Sequence, residues 1–328
     1  MTTPTTYTKE MTEDKSAQFH RIGAGFCGSV WARGSDTSAF KREDGGPERS
    51  LKNDFDMHQK VLSSFQLHTA QAIKTKNLTI QIPKCCRFIP PTDTEWWNEN
   101  LPSFPKGHSP CNTIQSQRIP PFPETVRAFL VEKYCPLELR GHIMSSDTNK
   151  DCLIRPYLGR RRTQQARPPK FKAFSLRNYP LHIDQIEEIG ISSGDMQQYA
   201  RSMAEALAIM HWIGEIDGND VEFVLAPPDP QAKGTTSNSL GEHSVWMLDF
   251  DLCRMMTMDE WGVKQAVIAF WRNDPFYPRP ESSHFLWKTF CDHYLLVSKD
   301  CIFGQKYKDH EKMLGLSRLF IYMLNMKA

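Results

Sequence analysis

The chain has 328 residues and carries 40 Lys and Arg against 38 Asp and Glu, a formal net charge of +2. That balance excludes a histone-like polycation and an acidic solvating tail, although a sum of charges says nothing of local patches. Hydrophobic residues make up 40% of the chain, its length admits two domains or one bilobal one, and no window approaches the ~18 continuous apolar residues of a membrane span.

Residues 1–18 are polar and Thr-rich and are expected to be disordered. They lack a basic stretch followed by an apolar one, so no secretory signal is expected. The 9 cysteines are scattered without a C-x-x-C pair, the pattern of reduced, mostly buried thiols in a cytoplasmic protein. A zinc site from Cys85, Cys86, His108 and Cys111 is the sharper reading, but adjacent cysteines rarely ligate one ion comfortably, and no metal site is assigned.

From Phe19 onward short strand-like runs alternate with Gly. A helix is expected over 50–62, where Leu51, Phe55, His58 and Leu62 share one face. Strands are expected over 77–89 and 125–134. Between them nine prolines fall from Pro83 to Pro123, a density that predicts a long insertion loop near 90–123 without continuous helix or central strand, pinned by Trp96 and Trp97. The spacing of Met196, Tyr199, Met203, Leu207 and Met210 predicts a helix over 195–213 with Asp195 as its N-cap. Two short strands follow, at 221–225 and 244–252, and then helices near 259–270, 283–297 and 310–325. The order implies an α+β, protein-kinase-like bilobal fold, with a small β-rich lobe over 19–135 and a mainly helical lobe over 136–328.

Three groups of residues can carry chemistry. The first is the run from Ile22 to Trp31, in which Gly23, Gly25 and Gly28 have the G-x-G-x-x-G spacing. Its glycines let backbone amides approach a phosphate, and a strand with Lys41 follows, where kinases keep their phosphate-pairing Lys. The second is acidic. Asp217 and Glu222 have the spacing of the Asp and Asn of a kinase catalytic loop, and Asp249-Phe250-Asp251 matches Asp-Phe-Gly with Asp in place of Gly. With Asp220 these make five acids on two loops. Where they converge, repulsion must be relieved by a metal, by protonation or by a cationic ligand. No helical Glu suited to pairing Lys41 is evident. The third group is basic. From Cys152 to Ile183 there is no Asp or Glu, while Arg155, Arg160, Arg161, Arg162, Arg167, Lys170, Lys172 and Arg177 fall there among aromatics. Such a segment suits a polyphosphate backbone and unpaired bases.

The Ile22–Val30 run, Phe40-Lys41-Arg42-Glu43-Asp44, Asn53–His58, Asp217–Leu225 and Leu248–Asp251 resemble a fungal family of kinase-like proteins known as hypothetical or zinc-finger-like, which includes arginine-containing cyclodipeptide synthases. The resemblance runs from about Ile22 to the C-terminus. It implies condensation of Arg-tRNA with a second aminoacyl-tRNA into a cyclic dipeptide for secondary metabolism, with Asp217, Asp220 and Glu222 matching the family's acidic motif. It requires no cofactor beyond the activated ester, with Mg²⁺ admissible, and no obligate protein partner. A carboxylate-rich pocket suits a guanidinium, so Asp217 or Glu222 is expected as base, and Asp249, Asp251 or Asp220 as arginine anchors. Ser29, Cys27 and Cys253 are the candidates for an acyl-enzyme. The alternatives are a phosphotransferase using Mg-ATP, with Asp217 as base, Asp249 on the metal and Lys41 on the phosphates, and a non-catalytic kinase-like binding module. Glu222 and Asp251 depart from a two-metal ATP site.

Overall fold

A computed structural model of the chain describes residues 18–46, 49–71, 80–162, 174–231 and 234–326. The segment expected to be disordered lies outside them but for residue 18, as do Arg167, Lys170 and Lys172.

The fold is a bilobal α+β one. The smaller lobe contains β1 (Phe19–Ala24), β2 (Ser29–Arg33), β3 (Ser38–Arg42), α1 (Leu51–Gln71), β5 (Cys85–Ile89), α2 (Thr94–Asn100) and β6 (Thr113–Gln117), while β4 (Ile80–Gln81) joins the sheet of the larger lobe. Its sheet has the order β1-β2-β3-β6-β5 and is antiparallel throughout. Alternation along a strand sends successive side chains to opposite faces, and β3 uses both. Phe40 packs on one face with Phe19, Trp31, Trp96, Trp97 and Phe104, and Arg42 lies over the Trp97 and Phe104 rings. Ala39 and Lys41 face the cleft between the lobes.

The proline-rich stretch is more ordered than expected. Its prolines are clustered, and the proline-free gaps at 92–101 and 111–119 hold α2 and β6. Asp93 caps α2 by accepting from the amide of Trp96, and Trp96 and Trp97 are buried in the aromatic cluster.

The larger lobe contains α3 (Glu124–Tyr134), α4 (Arg140–Ser145), β7 (Ile154–Tyr157), β8 (Tyr179–His182), α5 (Ile183–Glu188), α6 (Ser193–Trp212), β9 (Glu222–Ala226), β10 (Thr236–Asn238), β11 (Gly241–Leu248), α7 (Glu260–Arg272), α8 (His284–Gly304) and α9 (His310–Met326). The strand expected at 125–134 is α3. Val126, Leu130 and Val131 fall on one helical face and join the main core, so the chain enters the larger lobe before residue 135. The long helix α6 is capped by Ser192, which accepts from the amide of Asp195, the residue expected to be the cap. Apolar residues cover most of its circumference, and it packs as the central helix against α8. Among the described residues, no helix is long and apolar enough to cross a membrane.

The position of the site follows from one strand pair. β9 and β11 are antiparallel, with Phe223 opposite Met247 and Glu222 opposite Leu248. The first residue of β9 therefore stands beside the last of β11, and Asp249 emerges next to Glu222 at the mouth of the interlobe cleft.

Candidate active site

Lys41 is the centre of the cleft. Its Nζ donates to Asp54 Oδ2 at 2.6 Å and to Asp249 Oδ1 at 2.7 Å. Burial alone would lower the Lys41 pKa, but the two carboxylates outweigh it and the value is raised well above the ordinary one. Asp54 comes from α1 and also accepts the Phe250 amide through Oδ1 at 3.0 Å. It takes the position of the helical acid that holds the phosphate-pairing Lys of protein kinases. The sequence signal was present: Asp54 stands one helical turn before His58, and both line the cleft.

The other acids form two further knots. Arg49 Nη1 donates to Asp251 Oδ2 at 2.7 Å and to Asp220 Oδ2 at 3.2 Å. Arg155 Nη2 donates to both oxygens of Glu222 at 2.5 Å. Burial pushes Glu222 up to about 7, against the opposing pull of Arg155, and the charges of Asp249 and Asp220 add to the rise. Asp249 is held below its usual range because Lys41 outweighs the cost of burial. Asp251 is raised, first by burial and then by the neighbouring charge of Asp249. Asp220 and Asp249 both have left-handed backbone, with φ 62° and 65°, a strained state for residues other than Gly that clusters at functional sites.

Of the five acids expected to converge, four reach the cleft. Asp217 does not serve there. It is buried in its own loop, with Oδ1 accepting from the amides of Asn219 and Arg254 and Oδ2 accepting from Gln265 Nε2. Its lone pairs are spent on shaping the turn that carries Asp220 and Glu222, so the expected role as base is corrected to a positioning one.

The Gly-rich run is a hairpin turn between β1 and β2, in which the donors of Gly25 and Ser29 are taken. The Ser29 amide and hydroxyl both donate to the Asp44 carboxylate, at 2.7 and 2.8 Å for Oδ1. The Gly25 amide donates to the Gly28 carbonyl at 2.8 Å. At Gly28 an added Cβ would lie 1.8 Å from the Arg42 carbonyl oxygen, so Gly is required there for close backbone approach. Close packing accounts for Gly28, and the Asp44 carboxylate takes the Ser29 donors beside the turn that carries Gly23 and Gly25.

The nucleophile candidates are also corrected. Ser29 Oγ accepts from Trp31 Nε1 while bound to Asp44, and it is buried. Burial pushes the Cys27 thiol up to about 12 and the Cys253 thiol well above its usual value, so neither supplies a thiolate near neutral pH. Among the described residues, no group of three or more His, Cys, Asp or Glu is arranged to hold a metal ion. Cys86 is exposed, while His108 packs edge-on against Trp31.

The basic segment is only partly a surface. Arg155 turns into the cleft. Arg161 forms a two-pronged pair with Glu187, at 2.7 Å for each bond. Arg162 pairs with Asp184 at 2.5 Å and with Glu188 at 2.8 Å. Arg160 lies over the Tyr157 ring and contacts His182.

The DUF3669 family model, described as a zinc finger protein, matches residues 245–306. No curated protein matches the chain. The matched stretch begins in β11 and ends beyond α8, so it carries Asp249 and Asp251 but neither Lys41 nor Glu222. Its buried Cys301 approaches His68 of α1 at 3.6 Å, a contact inside the core.

Behind Lys41 the cleft deepens into a cavity of about 160 Å³. Ile22, Val30, Ala39, Pro83, Ile114, Ile119, Leu153 and Leu248 line it together with the polar Lys41, Asp54, His58, Ser116, Gln117 and Asp249.

Proposed function

We propose that this protein condenses two aminoacyl-tRNAs, one of them charged with arginine, into a cyclic dipeptide. The observation that carries the reading is the charge of the cleft. Among the described residues, five carboxyl groups, Asp54, Asp220, Glu222, Asp249 and Asp251, are ion-paired with three cations, Lys41, Arg49 and Arg155. An arginyl ester brings an α-ammonium and a guanidinium and neutralises such a pocket. Arg49 Nη1 already bridges Asp220 and Asp251, so this pair accepts from a guanidinium.

The chemistry needs a base, proximity and an activated ester. An α-amino group titrates at about 7.7–8.0, and Glu222 at about 7 is matched to take its proton. The freed amine attacks the carbonyl of the second ester, forming an amide and releasing one tRNA with its terminal hydroxyl. The remaining amine closes the six-membered ring on the remaining ester and releases the second tRNA. The proton held by Glu222 passes to the departing oxygen at each step. Lys41 would supply the cation for the negative charge that develops on the carbonyl oxygen. Such an enzyme works in the cytoplasm, where aminoacyl-tRNA is made.

The test is to supply the purified protein with Arg-tRNA and a second aminoacyl-tRNA and to read the product by mass spectrometry. The expected result is a cyclic Arg-containing dipeptide that disappears after RNase treatment. A second reading, phosphotransfer from Mg-ATP, is favoured by the Lys41–Asp54–Asp249 triad, and phosphorylated product from Mg-ATP without any aminoacyl-tRNA would establish it instead. The Gly25 and Ser29 donors already taken and the Asp44 carboxylate beside the turn weigh against a polyphosphate there.

A further inference from the structure

We propose that Asn273 and Asp274, the two residues that follow α7, are positioning residues for the acidic turn of the cleft: Asn273 holds the backbone that carries Asp220, and Asp274 shares Arg155 with Glu222. This rests on the reading of Glu222 as the base and adds what sets its surroundings.

Asn273 leaves α7 with extended backbone and is 3% exposed. Its Oδ1 accepts from the Asp220 amide at 2.6 Å, and its Nδ2 donates to the Gly218 carbonyl at 2.9 Å. Gly218 and Asp220 both have left-handed backbone, with φ 67° and 62°. One primary amide thus satisfies a donor and an acceptor of the turn at its two left-handed residues. A carboxylate in its place would offer no donor, and an apolar side chain neither group.

Asp274 is tied to β7. The Leu158 and Gly159 amides, just past the end of that strand, donate to the Phe276 and Pro275 carbonyls at 3.2 and 2.9 Å. Arg155 and Tyr157 stand two apart on β7 and so share a face. The Tyr157 hydroxyl donates to Asp274 Oδ2 at 2.8 Å, and the same oxygen lies 3.5 Å from Arg155 Nη1. Arg155 Nη2 is the donor to Glu222. Among the described residues the buried Nε of Arg155 finds no partner, so the guanidinium is oriented at its two Nη atoms, between two carboxylates.

That sharing bears on the base. The charged groups facing Glu222 are Arg155 from β7, Lys41 from β3, Asp249 after β11 and Asp220 from its own turn. Asp274 competes for the first of them. With Asp274 neutral, Arg155 would serve Glu222 undivided and favour its ionised form. The charge of Asp274 therefore keeps Glu222 the stronger base.

The test uses the full chain with carbon-13 in its Glu side-chain carboxyls. The Glu222 signal, assigned by its loss in Glu222→Gln, is followed by NMR against pH, and no aminoacyl-tRNA is needed. Asp274→Asn keeps an acceptor for Tyr157 and removes the charge. The expected result is a Glu222 midpoint lower by about half a unit or more, with the rising limb of the cyclic dipeptide rate displaced the same way. A midpoint that stays or rises overturns the role of Asp274. Asn273→Ala, or Asn273→Leu where the smaller side chain fails to fold, should speed hydrogen exchange at the Asp220 amide about tenfold or more while β9 keeps its wild-type rates. The same variant should lower kcat about tenfold at a KM within a few-fold of wild type. Unchanged exchange, or fast exchange with kcat unchanged, overturns the role of Asn273. A wild type that makes no cyclic dipeptide, with the Asp274→Asn shift present, overturns the synthase reading and leaves the coupling of Asp274 to Glu222 standing.

Discussion

In the cleft, Lys41, Arg49 and Arg155 are embedded among acids that outnumber them, and burial and the charge of Asp249 raise Asp251. Beside β8, Arg161 and Arg162 meet Glu187, Asp184 and Glu188 and are neutralised. Both regions are single-signed runs in the sequence. They differ because α5 begins just after the acid-free window closes and presents Asp184, Glu187 and Glu188 at helical spacings of three and four. A charge run therefore reads as a site only where the fold withholds its counter-ions. The cleft keeps an excess of one sign, and the arginines by α5 do not.

The strongest way to break this comparison is through Glu222. Glu222→Gln should lower the rate of cyclic dipeptide formation by about 10²–10⁴-fold, the usual worth of a positioned base. In the wild type the rate should rise with pH through about 7, and that limb should vanish in the variant. Linkage gives a second reading of the same group. A carboxyl raised from 4.5 to about 7 contributes its full stability below 4.5 and loses it as pH rises through 7. The wild type should therefore lose stability across that window relative to Glu222→Gln in urea titrations at each pH.

Lys41→Met comes next, since it leaves Asp54 and Asp249 buried without their cation. Breaking a buried pair in this way costs about 3–5 kcal/mol, visible as a lower urea midpoint. An unchanged midpoint would mean that the triad opens to water. Asp217→Asn should cost about 1–3 kcal/mol by disturbing three buried hydrogen bonds, with the activity per folded molecule within a few-fold of wild type. Complete loss of activity at normal stability would return Asp217 to the chemistry. The smallest effect is expected from Arg161→Glu with Arg162→Glu. Exposed pairs of this kind are worth about 0.2–1 kcal/mol each, and the slope of log binding against log salt for tRNA should hardly move. A fall of about 0.9 per charge would make this surface an RNA contact after all.

Much of the site was legible. Lys41 on β3, Glu222 opening β9 and Asp249 closing β11 follow from strand-like runs next to polar residues, and the helices of the larger lobe follow from their apolar spacing. Asp54 is short for the place where kinases keep a helical Glu, yet it reaches Lys41 from α1. Arg155 was counted with the basic segment because its partner Glu222 is 67 positions away. The strand expected over 125–134 failed because β-branched and aromatic residues mark apolar surface in either structure, and the helical spacing of Val126 and Leu130 decides between them.

The sequence by itself determined the two-lobed order of elements, the alternation that turns Lys41 to one face of β3 and Phe40 to the other, and the supply of acids at strand ends. Only the tertiary structure decided which charges are matched. Lys41 meets Asp54 and Asp249 across 13 and 208 positions, and Arg49 meets Asp220 and Asp251 across 171 and 202. Ionisation depends on what lies within hydrogen-bond reach and on how much water remains there, and both are set by the closing of the two lobes on each other.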